Sequence, residues 1–116
     1  MERVPLPIEI LNELESACKA SSDGNLGKAR VCARRAVGIA FRLSHHSKGI
    51  DGIVTAIEIV RRIAVLQDLP VPVRDAARRL SMSVVDEETS TKPVDDSILI
   101  IEGLLRDIQG GHLKES

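Results

Sequence analysis

The chain predicts an all-α fold, an up-and-down bundle of four to five helices, in one domain over residues 1–116. Three observations carry this. Apolar residues recur three and four positions apart in successive segments, the period of a helix with one buried face. Short clusters of Ser, Asn, Asp, Gly and Pro separate those segments. The segment richest in β-branched residues is too long for a strand and carries a polar seam at helical spacing.

Helix 1 is expected over about 7–19, with Pro7 in the first turn, where its missing N–H is not needed. Ile8, Ile10, Leu11, Leu14, Ala17 and Cys18 form its apolar side, and Glu9, Asn12, Glu13 and Ser16 face away. The polar run 21–25 ends it and supplies caps for helix 2. Helix 2 covers Gly24 to Leu43. Leu26, Ala29, Cys32, Ala33, Ala36, Val37, Ile39, Ala40 and Leu43 share one arc. Lys28, Arg30, Arg34, Arg35 and Arg42 take the other, with Val31 and Phe41 among them. The alanine-rich side lets another helix approach closely; the other side carries five cations and no acid.

Helix 3, over about 50–67, is the most hydrophobic segment. Ile53, Ile57, Val60 and Ala64 form a stripe flanked by Val54, Ile59, Ile63 and Leu66, and Asp51, Thr55, Glu58 and Arg62 mark the polar seam. It is expected to be the most buried element, either at the bundle's centre or against another subunit. Leu69-Pro70-Val71-Pro72 then breaks the chain. Helix 4, over about 72–82, turns Val73, Ala76, Ala77 and Leu80 inward and Arg74, Arg78 and Arg79 outward. Residues 83–94 read as a mobile loop. Helix 5 starts near Asp95-Asp96, favourable acids for a helix N-terminus, and presents Ile98, Ile101, Leu105 and Ile108, broadened by Leu99, Ile100 and Leu104. Gly110-Gly111 is expected to end it, leaving 110–116 as a tail.

Composition narrows the class. A hydrophobic fraction of 43% and a charged fraction of 28% are those of a globular chain. A net charge of -1 supplies no global field toward nucleic acid or an anionic membrane. Phe41 is the only aromatic residue, so the stacking platform common in single-stranded nucleic-acid binders is missing. No apolar run is long enough to span a bilayer and no apolar signal stretch follows Met1, so a cytoplasmic location is expected. Cys18 and Cys32 read as two buried free thiols, with a disulfide between helices 1 and 2 as the alternative.

The helix order, the sequence ARVCARRAVGIAFRL over 29–43, the proline-led fourth helix and the apolar last helix together resemble the HEPN domain. The most word-like portion is Lys28 to Leu43. The resemblance implies an all-α bundle that forms dimers, and two kinds of function. Many HEPN domains are ribonucleases, pairing an Arg with a His four to six positions later in a cleft at the dimer interface. There Arg stabilises charge on phosphorus oxygens and His transfers a proton. Others lack that pair and serve as partners of nucleotidyltransferases or as scaffolds.

Arg106 and His112, with five residues between them, fit the pattern; Arg42 with His45 and His46 is too close. Because Gly110-Gly111 separates His112 from its helix, the sequence favours helix-end decoration over a catalytic pair. His45 and His46, with only Asp51 nearby, make a thin metal site and read as a solvated turn. Lys28, Arg30, Arg34, Arg35 and Arg42 form a candidate phosphate patch, joined by Arg74, Arg78 and Arg79 if helix 4 lies alongside. The favoured alternative for these arginines is surface pairing with the acids of helix 1 and of 86–88. Phosphate loops and nucleophile elbows are absent.

The leading reading is therefore a HEPN-like, two-fold homodimeric interaction or nucleic-acid-associated module, without a cofactor, metal or chemistry of its own. A nucleotidyltransferase is the partner the resemblance implies. The alternatives are a metal-independent HEPN-type endoribonuclease, or an unrelated bundle that binds a protein helix.

Overall fold

Residues 23–25 set the first two helices against each other. α1 runs over Ile8–Ser22 and α2 over Leu26–Leu43. Gly24 takes a left-handed φ of 81°, its N–H donates to Ser21 O, and Asn25 N–H reaches back to Ala20 O at 2.8 Å. This pair of bonds is a Schellman closure, which satisfies the last carbonyls of α1. Asn25 then caps α2, its side-chain oxygen accepting from Lys28 N–H. One glycine and one asparagine thus end a helix, reverse the chain and start the next.

The computed structural model describes residues 6–47, 54–82 and 93–115, without the side chains of His45 and of 107–115. After a 3₁₀ turn at His45–Ser47 come α3 (Ala56–Ile63), α4 (Val71–Ser81) and α5 (Pro93–Glu115). The described residues form an all-α bundle with no strand. α2 lies at its centre, against α1, α3 and α5; α4 closes the remaining side on α3 and α5.

This overturns the expectation that helix 3 is the most buried. α3 is eight residues long and wet along Glu58, Arg61 and Arg62. Its buried residues are Ile59, Val60 and Ile63; Ile57 and Ala64 are half-buried, and Ile53 lies outside the described residues. The hydrophobic segment is divided by a cap rather than wound into one helix. Thr55 is extended and caps α3 through the Glu58 N–H, and a turn follows Ile63. The argument for a dimer from helix 3's lack of polar surface falls with it.

α2 takes the central role because its arc is wider than expected. At about 100° per residue, Arg30 and Phe41 lie about 40° and 60° from Leu26, at the border between the two arcs. Phe41 is fully enclosed and Arg30 keeps 6% of its surface in solvent, whereas Leu43, placed on the apolar arc, is half exposed. On α1, Ile10, Ala17 and Ala20 are buried; Ile8, Leu11 and Cys18 stand exposed.

α4 buries Val73, Ala76, Ala77 and Leu80 as expected. α5 buries Ile100, Ile101, Leu104 and Leu105, while Ile98 and Leu99 border solvent. It starts at Pro93 rather than Asp95, so the expected loop over 83–94 loses its last two residues; the rest of that loop lies outside the described residues. It continues through Gly110-Gly111 to Glu115 instead of ending there. A helix already running can pass glycine at roughly 1 kcal/mol each. α4 and α5 cross where Gly103 meets Val73, and a Cβ at Gly103 would fall 2.7 Å from Val73 Cγ2. Beside this crossing, Arg79 Nη2 donates to the buried Asp96 Oδ1 at 2.8 Å. No described helix is long and apolar enough to cross a membrane.

Two glycines separate backbone from packing costs. Gly24→Ala meets no neighbour and is expected to lose about 1–2 kcal/mol through its left-handed φ alone. Gly103→Ala is expected to lose about 1–3 kcal/mol by overpacking against the stiff Val73. Denaturant titration of a double-mutant cycle checks this: Val73→Ala should recover part of the Gly103→Ala loss and none of the Gly24→Ala loss.

Candidate functional site

A cleft of about 280 Å³ opens where α1, α2 and α3 meet. Gly38, Ile39, Ala56 and Ile59 give it an apolar floor, and Glu13, Arg35 and Arg42 supply its polar groups. The floor forms because two small residues face each other: an added Cβ at Gly38 would lie 3.8 Å from the Ala56 Cβ. Arg35 and Arg42 are seven residues apart on α2, about two turns, and so share a face. Arg42 reaches across to donate from Nη2 to Val54 O at 3.0 Å, tying α2 to the residue before the α3 cap. A second hollow of about 190 Å³, lined by Phe41, Arg42, Ser47, Val54 and Ile59, adjoins it through Arg42 and Ile59. Sequence reading identified the arginines of this cleft but not Glu13, Gly38 or Ala56. The available signal was a glycine inside a helix without a kink, which marks a close approach.

The predicted phosphate patch does not exist as one surface. Lys28, Arg35 and Arg42 share the exposed face of α2. Arg34 turns the other way, donating from Nε to Leu80 O at 2.8 Å and from Nη2 to Met82 O at 2.9 Å. It thereby satisfies carbonyls at the end of α4, where a cation also suits the helix dipole. Arg30 is buried. The α4 arginines do not join them: Arg74 donates to Leu69 O, Arg78 pairs with Asp75 and Arg79 with Asp96. Among the described residues the expected pairing with helix-1 acids is not formed either; Arg34 and Arg42 bond carbonyls instead.

Arg106 is exposed on α5. With α5 unbroken, position 112 lies about 120° around the axis from position 106, so one protomer does not place both on one face. The side chain of His112 is outside the described residues, as is that of His45. His46 sits half-buried in the 3₁₀ turn, its N–H donating to Ser44 Oγ. Cys32 is buried and Cys18 exposed, both free, which replaces the expected pair of buried thiols. No group of three His, Cys, Asp or Glu suited to a metal occurs among the described residues. Neither a protein-family model, nor a characterised protein, nor a solved structure matches the chain.

The α3 wall of the cleft rests on a capping box. Thr55 Oγ1 accepts from Glu58 N–H, and Glu58 Oε1 accepts from Thr55 N–H and Oγ1 at 2.9 Å. These bonds, the backbone one foremost, hold the Glu58 carboxyl below the usual glutamate range. A lowered carboxyl pKa contributes stability above the unfolded value and loses it as pH falls through the folded one. Acid titration followed by circular dichroism should therefore show Glu58→Gln, which keeps a box acceptor, losing less stability on acidification than the wild type. Thr55→Ala is expected to cost about 1 kcal/mol at neutral pH.

Proposed function

We propose that this chain is a non-catalytic, HEPN-like helical interaction module, working as a homodimer and engaging a protein partner at the α1–α2–α3 cleft. The cleft carries the reading. Its apolar floor and the arginine side chains above it suit an acidic, amphipathic segment of a partner, and it is held by helices rather than by a loop. Nucleic acid is the weaker fit, because the net charge is -1 and the single aromatic side chain, Phe41, is enclosed. The HEPN reading is supported by the order of helices, the basic central second helix and the prolines at 70 and 72 leading the fourth. A nucleotidyltransferase is the partner class that reading implies. Ile8 and Leu11 of α1 and Ile98 and Leu99 of α5 are exposed apolar residues available to a second copy.

The ribonuclease reading keeps one observation in its favour: α5 runs on through Gly110-Gly111, so His112 stands on a helix rather than on a tail. Incubation of the purified protein with single-stranded RNA in EDTA separates the two. The RNA is expected to stay intact. Cleavage that persists in EDTA and disappears in both Arg106→Ala and His112→Ala would replace the module by a nuclease. Sedimentation at micromolar concentration is expected to show a dimer; a species at the 12.6 kDa chain mass alone would remove that part of the reading.

A further inference from the structure

Arg30 is the one charged residue of α2 enclosed by the fold, with 6% of its surface in solvent. Its Nε is sealed and has no hydrogen-bond partner. A guanidinium does not shed its proton to relieve such a position, and a buried N–H left without an acceptor is unfavourable. Its neighbours worsen the balance. Arg34, one turn along, is fixed by the Leu80 and Met82 carbonyls through Nε and Nη2. Arg61, in the last turn of α3, is exposed and close enough for its charge to act on Arg34. Burial first, and then the fields of Arg30 and Arg61, hold the Arg34 guanidinium below the ordinary arginine range. Of the described acids of α3, α4 and α5, Glu58 is committed to the Thr55 box, Asp75 to Arg78 and Asp96 to Arg79, while Asp95 and Glu102 are exposed on α5.

We propose that Arg30, Arg34 and Arg61 form a binding site for a phosphate group at the junction of α2 with the ends of α3 and α4. Arg30 and Arg34 lie one turn apart on α2, and the field of Arg61 reaches Arg34. A carboxylate balances one of them, whereas a phosphate brings up to two negative charges and several acceptor oxygens, a match for guanidinium forks. Arg34 is preorganised by its carbonyl bonds, Arg30 supplies a side chain with a sealed, unpartnered Nε, and Arg61 closes the site from the surface. This site lies on a different flank of α2 from the Arg35–Arg42 cleft and does not depend on the partner reading.

Inorganic phosphate titrated into the full chain, followed by calorimetry and thermal unfolding, tests the site against sodium chloride and sodium acetate at matched ionic strength. Phosphate is expected to raise the melting temperature beyond either control. Arg61→Gln, an exposed change that leaves the core alone, is expected to weaken phosphate binding about tenfold, the loss of one charge-assisted bond. Arg30→Met is expected to abolish the phosphate response while melting higher than wild type without phosphate, because it removes the unpartnered N–H and keeps the packing. Ribonucleoside 5′-monophosphate and a short RNA oligomer then identify the source. Binding of the monophosphate lost in Arg61→Gln indicates a monoester ligand, and the same loss confined to the oligomer indicates a phosphodiester backbone. A phosphate effect no larger than that of chloride, or one retained by Arg30→Met, overturns the proposal. So does a phosphate response seen only after Asp86→Asn, Glu87→Gln and Glu88→Gln together, which would assign the counter-charge to the chain's own acids.

Discussion

The fold depends on how closely α1, α3 and α5 gather around α2. Most of the buried positions of α2 are small, with Ala29, Ala33, Ala36, Gly38 and Ala40 among them. Small residues on a central helix shorten the distance to its neighbours and leave little room for error, since interiors are packed to crystal-like density. The larger volume comes from the surrounding helices: Ile10, Ile59, Ile63, Leu80, Ile100, Ile101 and Leu104 are enclosed. Phe41 is the exception on α2 and its largest buried side chain. A core of aliphatic residues around an alanine helix needs neither a second aromatic residue nor a disulfide.

What the sequence made legible followed from local chemistry. The turn at 23–25 and the inward face of α4 were readable because caps, glycine and proline act within a few residues, although α1 runs on to Ser22 rather than ending near Lys19. The errors came from positions where tertiary contacts decide. Hydrophobicity alone extended helix 3 over 50–67, yet Thr55 and Glu58 close a box that starts the helix at Ala56. Arg30 and Phe41 fall between the two arcs on the wheel, and the packing around α2 turns both inward. Gly110-Gly111 was read as a terminator, although a helix of 23 residues carries past it. Of the candidate site, the arginines were visible and their grouping was not. The direction in which each long side chain leaves α2 depends on carbonyls at Val54, Leu80 and Met82, which lie far along the chain.

Those carbonyl bonds explain how a helix with five cations sits at the centre of a bundle. Arg34 and Arg42 do not function as free surface charges; each spends its guanidinium on backbone oxygens where another element ends or begins. Hydrogen bonds to charged donors are worth more than neutral ones. They also fix geometry that apolar packing against an alanine helix leaves loose. Arg34 anchors the end of α4 to α2, and Arg42 anchors the approach to α3. Arg79 and Asp96 make the corresponding tie between α4 and α5.

Once these structural bonds are accounted for, a smaller set of charges is left for recognition, and it divides by flank. Arg35 has no bond of this kind and faces the cleft with Glu13, over a floor that Gly38 and Ala56 keep low. On the other flank, among the described residues, no ion pair engages Arg30, Arg34 or Arg61. An exposed cation such as Arg35 costs nothing when unpaired, because water solvates it; the Arg30 Nε is sealed from that water. The same helix therefore carries a charge that is optional and a charge that demands a counterpart. The physical asymmetry between them, rather than the number of arginines, is what distinguishes a surface that tolerates a partner from a site that calls for a ligand.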